Sequence, residues 1–194
     1  MSSSLPMSRE RTKPARRVTQ LITRRAALML SLAACGGMLH PRVASAQESA
    51  LTLGSDAPSA AVTTLDGQPA NLSTFLAEKK PVVIEFWATW CPLCKELEPA
   101  MAEAKKKYDG RVVFVSVGVP QNQTPEKQRD YVKAHNLSGE FVFDRDGKAI
   151  AAYKANHTSY MVVVNAAGKV VYSGSGADQS IENAIARAFP MHGM

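Results

Sequence analysis

Cys91 and Cys94 are the residues whose type and spacing most directly suggest chemistry. They stand in Phe86-Trp87-Ala88-Thr89-Trp90-Cys91-Pro92-Leu93-Cys94-Lys95. Upstream, Pro81–Trp87 is a near-continuous apolar run of the kind a buried central strand shows. Downstream, Leu97, Met101, Ala104 and Tyr108 fall on one helix face. The pattern predicts Cys91 at the point where a strand gives way to a helix. Unpaired N–H groups and the helix dipole favour negative charge there, and the thiolate is the nucleophile of disulfide exchange. Cys94, one turn on, is placed to attack a mixed disulfide and release the bound partner. Two structural uses compete with this one. A disulfide across so short a loop stabilises little. A zinc site needs two further good ligands, and the third cysteine, Cys35, lies far upstream in a leader-like segment.

The elements around this pair alternate. Ala61–Leu65, the turn Asp66-Gly67 and an extended piece to Asn71 read as a hairpin. Leu72–Lys79 reads as a short helix capped by Asn71, and Cys91–Tyr108 as a long one. Val112–Val119 is a second buried strand. Thr124-Pro125-Glu126 opens a helix that runs to about His135. A short strand at Phe141–Asp144 and one or two helical turns at Ala149–Tyr153 follow. Tyr160–Val164 and Lys169–Ser175 form a hairpin about Asn165-Ala166-Ala167-Gly168, and a last helix contains Ile181, Ile185, Ala188 and Phe189, capped by Asp178 or Ser180. The order implies an α/β (α+β three-layer) domain with a central sheet flanked by helices and an N-terminal β-hairpin extension.

Charge separates this domain from what precedes it. The chain has 194 residues, 23 Lys+Arg and 17 Asp+Glu, a net charge of +6. Residues 1–46 hold 8 of the basic residues and 1 of the acidic ones, so the remainder is close to neutral. The basic excess therefore gives no case for a nucleic-acid partner. A charged region to Arg25, an apolar run at Ala26–Ala34 and Ala44-Ser45-Ala46 read as an export signal over 1–46. Thr23-Arg24-Arg25-Ala26-Ala27-Leu28 resembles a twin-arginine signal without the usual Phe, and an ordinary Sec signal fits the same residues. Leu32-Ala33-Ala34-Cys35 resembles a lipobox, and membrane attachment follows only if Cys35 is lipidated. Residues 47–55 read as a linker, 56–190 as the domain and 191–194 as a flexible tail.

Residues 55–189 resemble the thioredoxin fold, nearest to the exported TlpA/ResA/CcmG-like group. The most specific part is Phe86–Cys94, which matches Phe-Trp-Ala-x-Trp-Cys-x-x-Cys, and Pro99 matches the proline inside the family's active-site helix. The resemblance implies a central mixed sheet and a periplasmic thiol–disulfide oxidoreductase. It implies Cys91 as nucleophile and Cys94 as resolving thiol. It places Glu85 beneath Cys94 as a proton relay; a strand Glu facing solvent is the alternative. Trp90, Pro92, Thr158 and Ser159 are expected to form the substrate groove. No cofactor is required. The implied partners are protein thiols or disulfides and a membrane electron donor, with reductase chemistry favoured by analogy.

One departure stands out. The family carries a proline facing the cysteines, nine residues before the glycine of the last hairpin. Counting back from Gly168 lands on Ser159, within Asn156-His157-Thr158-Ser159-Tyr160. In this respect the chain partly resembles Sco-type copper chaperones, although those space their cysteines one residue wider. The alternative function is therefore a copper(I) carrier or copper-site assembly factor using Cys91, Cys94 and His157, since two thiolates and an imidazole suit Cu(I). Met191, His192 and Met194 are soft donors in a solvated tail. Asp144-Arg145-Asp146-Gly147 reads as a turn, and Lys105-Lys106-Lys107 as a solvated helix end. A peroxiredoxin pattern, phosphate loop and nucleophile elbow are missing.

Overall fold

The computed structural model describes residues 51–189. The leader features at Arg24, Arg25, Cys35 and Ala44–Ala46 lie outside the described residues, as do Met191, His192 and Met194.

The first hairpin forms as expected, with β1 at Ala61–Thr64 and β2 at Pro69–Asn71 paired antiparallel. Asn71 then caps α1, Leu72–Leu76, its Oδ1 accepting from the Ser73 N–H at 2.9 Å. Next come β3 (Val82–Trp87), α2 (Pro92–Lys107) and β4 (Val113–Gly118). Thr124 caps α3, Pro125–Ala134, its hydroxyl accepting from the Lys127 N–H at 3.3 Å, with Pro125 at the first helical turn. β5 is Glu140–Phe143 and α4 is Lys148–Tyr153, entered through Gly147 at φ 70°. β6 (Tyr160–Val164) and β7 (Val170–Gly174) form the second hairpin, and α5 is Ile181–Ala186. Ser180 occupies the N-cap of α5, but its side chain makes no capping hydrogen bond.

The seven strands form one mixed sheet in the order β2-β1-β5-β4-β3-β6-β7. β3 lies parallel to β4 and antiparallel to β6. β1 pairs antiparallel with β5, so the hairpin extension widens the sheet at that side. Phe86, Val162 and Val164 share an apolar cluster with Leu72 of α1 and Ala149 and Tyr153 of α4. Val83, Met161 and Val163 pack with Leu97 and Met101 of α2 and Ile181 and Ile185 of α5. Helices thus cover both faces, and β3 is buried on both. Each large apolar side chain so buried contributes about 1.5–3 kcal/mol before entropy is charged.

The stretch read as a linker differs at its end. Leu51 is buried, Gly54 N–H donates to the Val170 carbonyl at 2.8 Å, and Val170 N–H donates to the Ser55 carbonyl at 2.9 Å. Backbone pairing with β7, invisible in a polar local sequence, fixes these residues. Among the described residues no helix is long and apolar enough to cross a membrane.

Candidate active site

Strand β3 delivers the chain to Cys91, and helix α2 begins at the next residue. Cys91 is the N-cap, with extended backbone, and Pro92 opens the helix. Pro suits that position because its missing N–H would be unpaired there anyway. Cys91 Sγ accepts from the Cys94 N–H at 3.1 Å. The first turn carries no acid, and Lys105, Lys106 and Lys107 stand in the last. No acid in the first turn therefore opposes the helix field at Cys91. The two sulfurs form a disulfide, with Cα atoms 5.4 Å apart. Cys91 is 1% exposed and Cys94 2%, whereas Trp90 and Leu93 are each 43% exposed. The helix continues through Pro99 to Lys107.

The turn before Cys91 is held from an unexpected direction. Gln123, buried after β4, accepts at Oε1 from the Thr89 N–H at 3.0 Å. Its Nε2 donates to the Trp87 carbonyl at 3.3 Å and to the Val119 carbonyl at 2.6 Å. Trp90 Nε1–H donates to the Gln121 carbonyl at 2.7 Å. These two glutamines were missed because their pattern, Pro120-Gln121-Asn122-Gln123, reads as an ordinary polar loop. The signal was their place directly after a buried parallel strand adjacent to β3, at the same sheet end as the cysteines.

A groove of about 820 Å³ opens at the start of α2, and Trp90 and Leu93, which flank Cys91 in sequence, line it with His157, Thr158 and Ser159. Trp90, Thr158 and Ser159, three of the four residues expected to form a substrate groove, line this cavity. Pro92 is not among the lining residues, and Leu93, the next position round the helix, takes that role. Ser159 adopts φ 60° and is fully buried. His157 is exposed on the groove wall. Among the described residues no group of three or more His, Cys, Asp or Glu side chains gathers to hold a metal ion, so Cys91, Cys94 and His157 do not converge as a three-ligand set in this oxidised form.

Behind the disulfide lies a second, smaller cavity of about 150 Å³. Glu85, Cys94, Glu98, Lys105, Ser116 and His135 are among its walls. Glu85 pairs across the sheet with Ser116 of β4 and Met161 of β6; its residue surface is only half-buried, but it lines the cavity under α2, enclosed by protein on the α2 side. Burial lifts its carboxyl from the ordinary 4.5 to about 7; Lys105 pulls the value down and Glu98 pushes it up. Burial likewise lowers the Lys105 ammonium, against the pull of Glu85 and Glu98. Lys105 Nζ donates to the Ser138 carbonyl at 2.5 Å. Tyr131 donates its hydroxyl proton to Glu98 Oε1 at 2.8 Å. Burial, and then Glu98, push the phenol up to about 12. A carboxyl poised near neutrality beside the second thiol is suited to exchanging a proton with it. Glu98 and Lys105 escaped the sequence reading because both look like solvated helix positions.

Comparison with known proteins agrees with this geometry. A family model described as Redoxin matches residues 52–188. The thioredoxin-like protein YneN of Bacillus subtilis is 32% identical over 104 residues, covering 53% of this chain and 60% of that protein. The thiol-disulfide oxidoreductase ResA of Bacillus subtilis is 28% identical over 152 residues, covering 78% of this chain and 83% of its own. Among solved structures, a secreted Mycobacterium tuberculosis disulfide oxidoreductase homologous to E. coli DsbE superposes with a TM-score of 0.55. It is 25% identical, covering 66% of this chain and 92% of that one. Kinship with ResA and with this secreted enzyme suggests an exported, non-cytoplasmic setting. The sheet order, the Cys91–Cys94 pair at a helix start and the family match together make this chain a member of the Redoxin family, a thioredoxin-fold thiol–disulfide oxidoreductase related to the ResA, TlpA and DsbE group.

Proposed function

We propose that this chain is a periplasmic reductase of protein disulfides. The observation that carries the reading is the Cys91–Cys94 pair, set at the start of α2 with the groove beside it and the Glu85 cavity behind it. In the reduced protein the Cys91 thiolate attacks a client disulfide. A mixed disulfide forms, and the first client thiolate leaves. Glu85, as carboxylate, takes the proton of the Cys94 thiol. The Cys94 thiolate attacks Cys91 Sγ, the Cys91–Cys94 disulfide forms, and the second client thiolate is released. A membrane-bound dithiol donor returns two electrons and two protons to the pair. Residues 1–46 supply the export signal by this reading, with cleavage after Ala46.

Trapping tests the roles of the sulfurs. Cys94→Ser accumulates mixed disulfides with clients, and Cys91→Ser does not; the reverse pattern sinks the assignment. The potential of the pair tests direction. A value more negative than about −200 mV supports a reductase, and one near about −120 mV points to an oxidase instead. Intact mass of the exported protein tests the leader: a start at Gln47 is expected, and a lipidated Cys35 start overturns it.

A further inference from the structure

Ser159 is the least expected residue of the groove. It enters β6 in the left-handed region, at φ 60°, and is fully buried. L residues avoid that region, so the surrounding contacts must hold it there. Two hydrogen bonds do. Ser159 Oγ accepts from the Gly176 N–H at 3.1 Å. The Ser159 carbonyl accepts from Gln179 Nε2 at 2.8 Å. The same amide nitrogen donates to the Gly176 carbonyl at 2.7 Å.

Gln179 is itself oriented. Its Oε1 accepts from the Tyr172 hydroxyl at 3.1 Å, which fixes which end of the amide carries the donors. Tyr172 reaches this point because Gly174 leaves room for it. A Cβ at Gly174 would collide with the Tyr172 hydroxyl. The Arg187 guanidinium stands 5.6 Å from the centre of the Tyr172 ring. One half-buried amide thus ties the β7–α5 connection to the entry of β6. Ser159 and Gly176, which it joins, both line the groove that Trp90 and Leu93 border from the α2 side.

We infer that Gln179 is a positioning residue for the client: it fixes the groove wall opposite α2 in the shape that a protein disulfide docks against. This inference rests on the client-groove reading above and adds the device that sets the groove. Gln179 touches neither cysteine, so it acts on docking and leaves the sulfur chemistry alone. Without its two donated bonds the Ser159 segment samples other conformations, and apparent affinity falls with the docking-competent fraction.

The test uses the full mature protein in reduced form, with insulin as the protein disulfide and an aromatic low-molecular-weight disulfide as the small one. Gln179→Met keeps the length and removes the hydrogen bonds. It is expected to raise KM for insulin about fivefold to tenfold, with kcat and the small-disulfide rate changed less than about twofold. Tyr172→Phe, a milder change, moves KM the same way by less. The double variant is no worse than Gln179→Met alone, because Tyr172 acts through the amide. An unchanged KM in Tyr172→Phe and Gln179→Met overturns the inference, as does an equal loss in kcat and in the small-disulfide rate. If Gln179→Met does not fold, an unchanged KM in Tyr172→Phe is sufficient to overturn it. A wild type that reduces the small disulfide but not insulin overturns the client-groove reading and this inference with it. A wild type that docks insulin normally while both variants do so equally well overturns only the inference.

Discussion

Glu85 and Cys94 border the same cavity of about 150 Å³ beneath the first turn of α2. A carboxyl held near pKa 7 therefore lies on the buried side of the resolving cysteine, away from the groove. The cavity that holds Glu85 and the groove lined by Trp90 and Leu93 thus flank the start of α2 separately.

The resolving step should depend on the protonation of Glu85. Glu85 accepts the Cys94 proton only as carboxylate, so release of the client should speed up as pH rises through about 7. In Glu85→Gln that inflection should vanish, and the step should slow by about 10²-fold at pH 8. Stopped-flow decay of a preformed Cys91 mixed disulfide reads both. An inflection that survives the substitution assigns the proton to another group.

Glu85 should also mark stability, with a definite sign. Its folded pKa of about 7 exceeds the ordinary 4.5, so the folded protein binds the extra proton between those values. Stability is then lost as pH rises through that window, and the full cost is present above it. The cost is on the order of 3 kcal/mol at complete ionisation, reduced by any water the cavity admits. Thermal unfolding of the oxidised protein should show Glu85→Gln more stable than wild type at pH 8 and similar to it at pH 4. Equal Tm values at both pH values would contradict the burial argument.

Gln123 should matter more than its place in a polar loop suggests. Gln123→Ala strands the Thr89 N–H and the Val119 carbonyl, while the Trp87 carbonyl loses one of its two bonds and keeps that from the Val119 N–H. The expected loss is about 2–4 kcal/mol, read from urea unfolding. Wild-type stability in the variant would mean that water replaces the side chain without cost.

Ser159 yields a prediction that runs against family resemblance. Pro fixes φ near −65°, whereas Ser159 sits at 60°. Ser159→Pro, which would bring in the family's residue, should destabilise by about 2 kcal/mol or more. Ser159→Gly and Ser159→Ala both lose the bond from the Gly176 N–H, but Gly tolerates the backbone. Ser159→Gly should be more stable than Ser159→Ala by about 1 kcal/mol. The reverse order, in denaturant titrations of the two, would mean that the segment rearranges.

Much of the frame was legible because local signals coincided with tertiary ones. Asn71 and Thr124 cap the helices they were expected to cap, and Cys91 lies at the predicted strand–helix boundary. The side of β3 that bears Glu85 was not legible. Val82–Trp87 is covered on both faces, so apolar residues flank Glu85 whichever way it points, and alternation carries no information. Packing of α2 on that face decides it. Gln123 and Gln179 were also hidden, since each acts on a backbone group 20 or more residues away that only the fold brings near. The Ser159 position was found by counting, but its left-handed backbone was not, because no glycine or asparagine marks it.

The burial of both sulfurs has a consequence for the wiring of a redox compartment. A disulfide covered to within 1–2% of its residues' surface is poorly accessible to free thiols in the surrounding pool. Electrons then pass chiefly when a partner occupies the groove and the Trp90–Leu93 rim yields to it. Such a protein is kinetically insulated. On the reductase reading proposed above, the oxidised pair regains its electrons from a docked donor rather than from the bulk thiol pool.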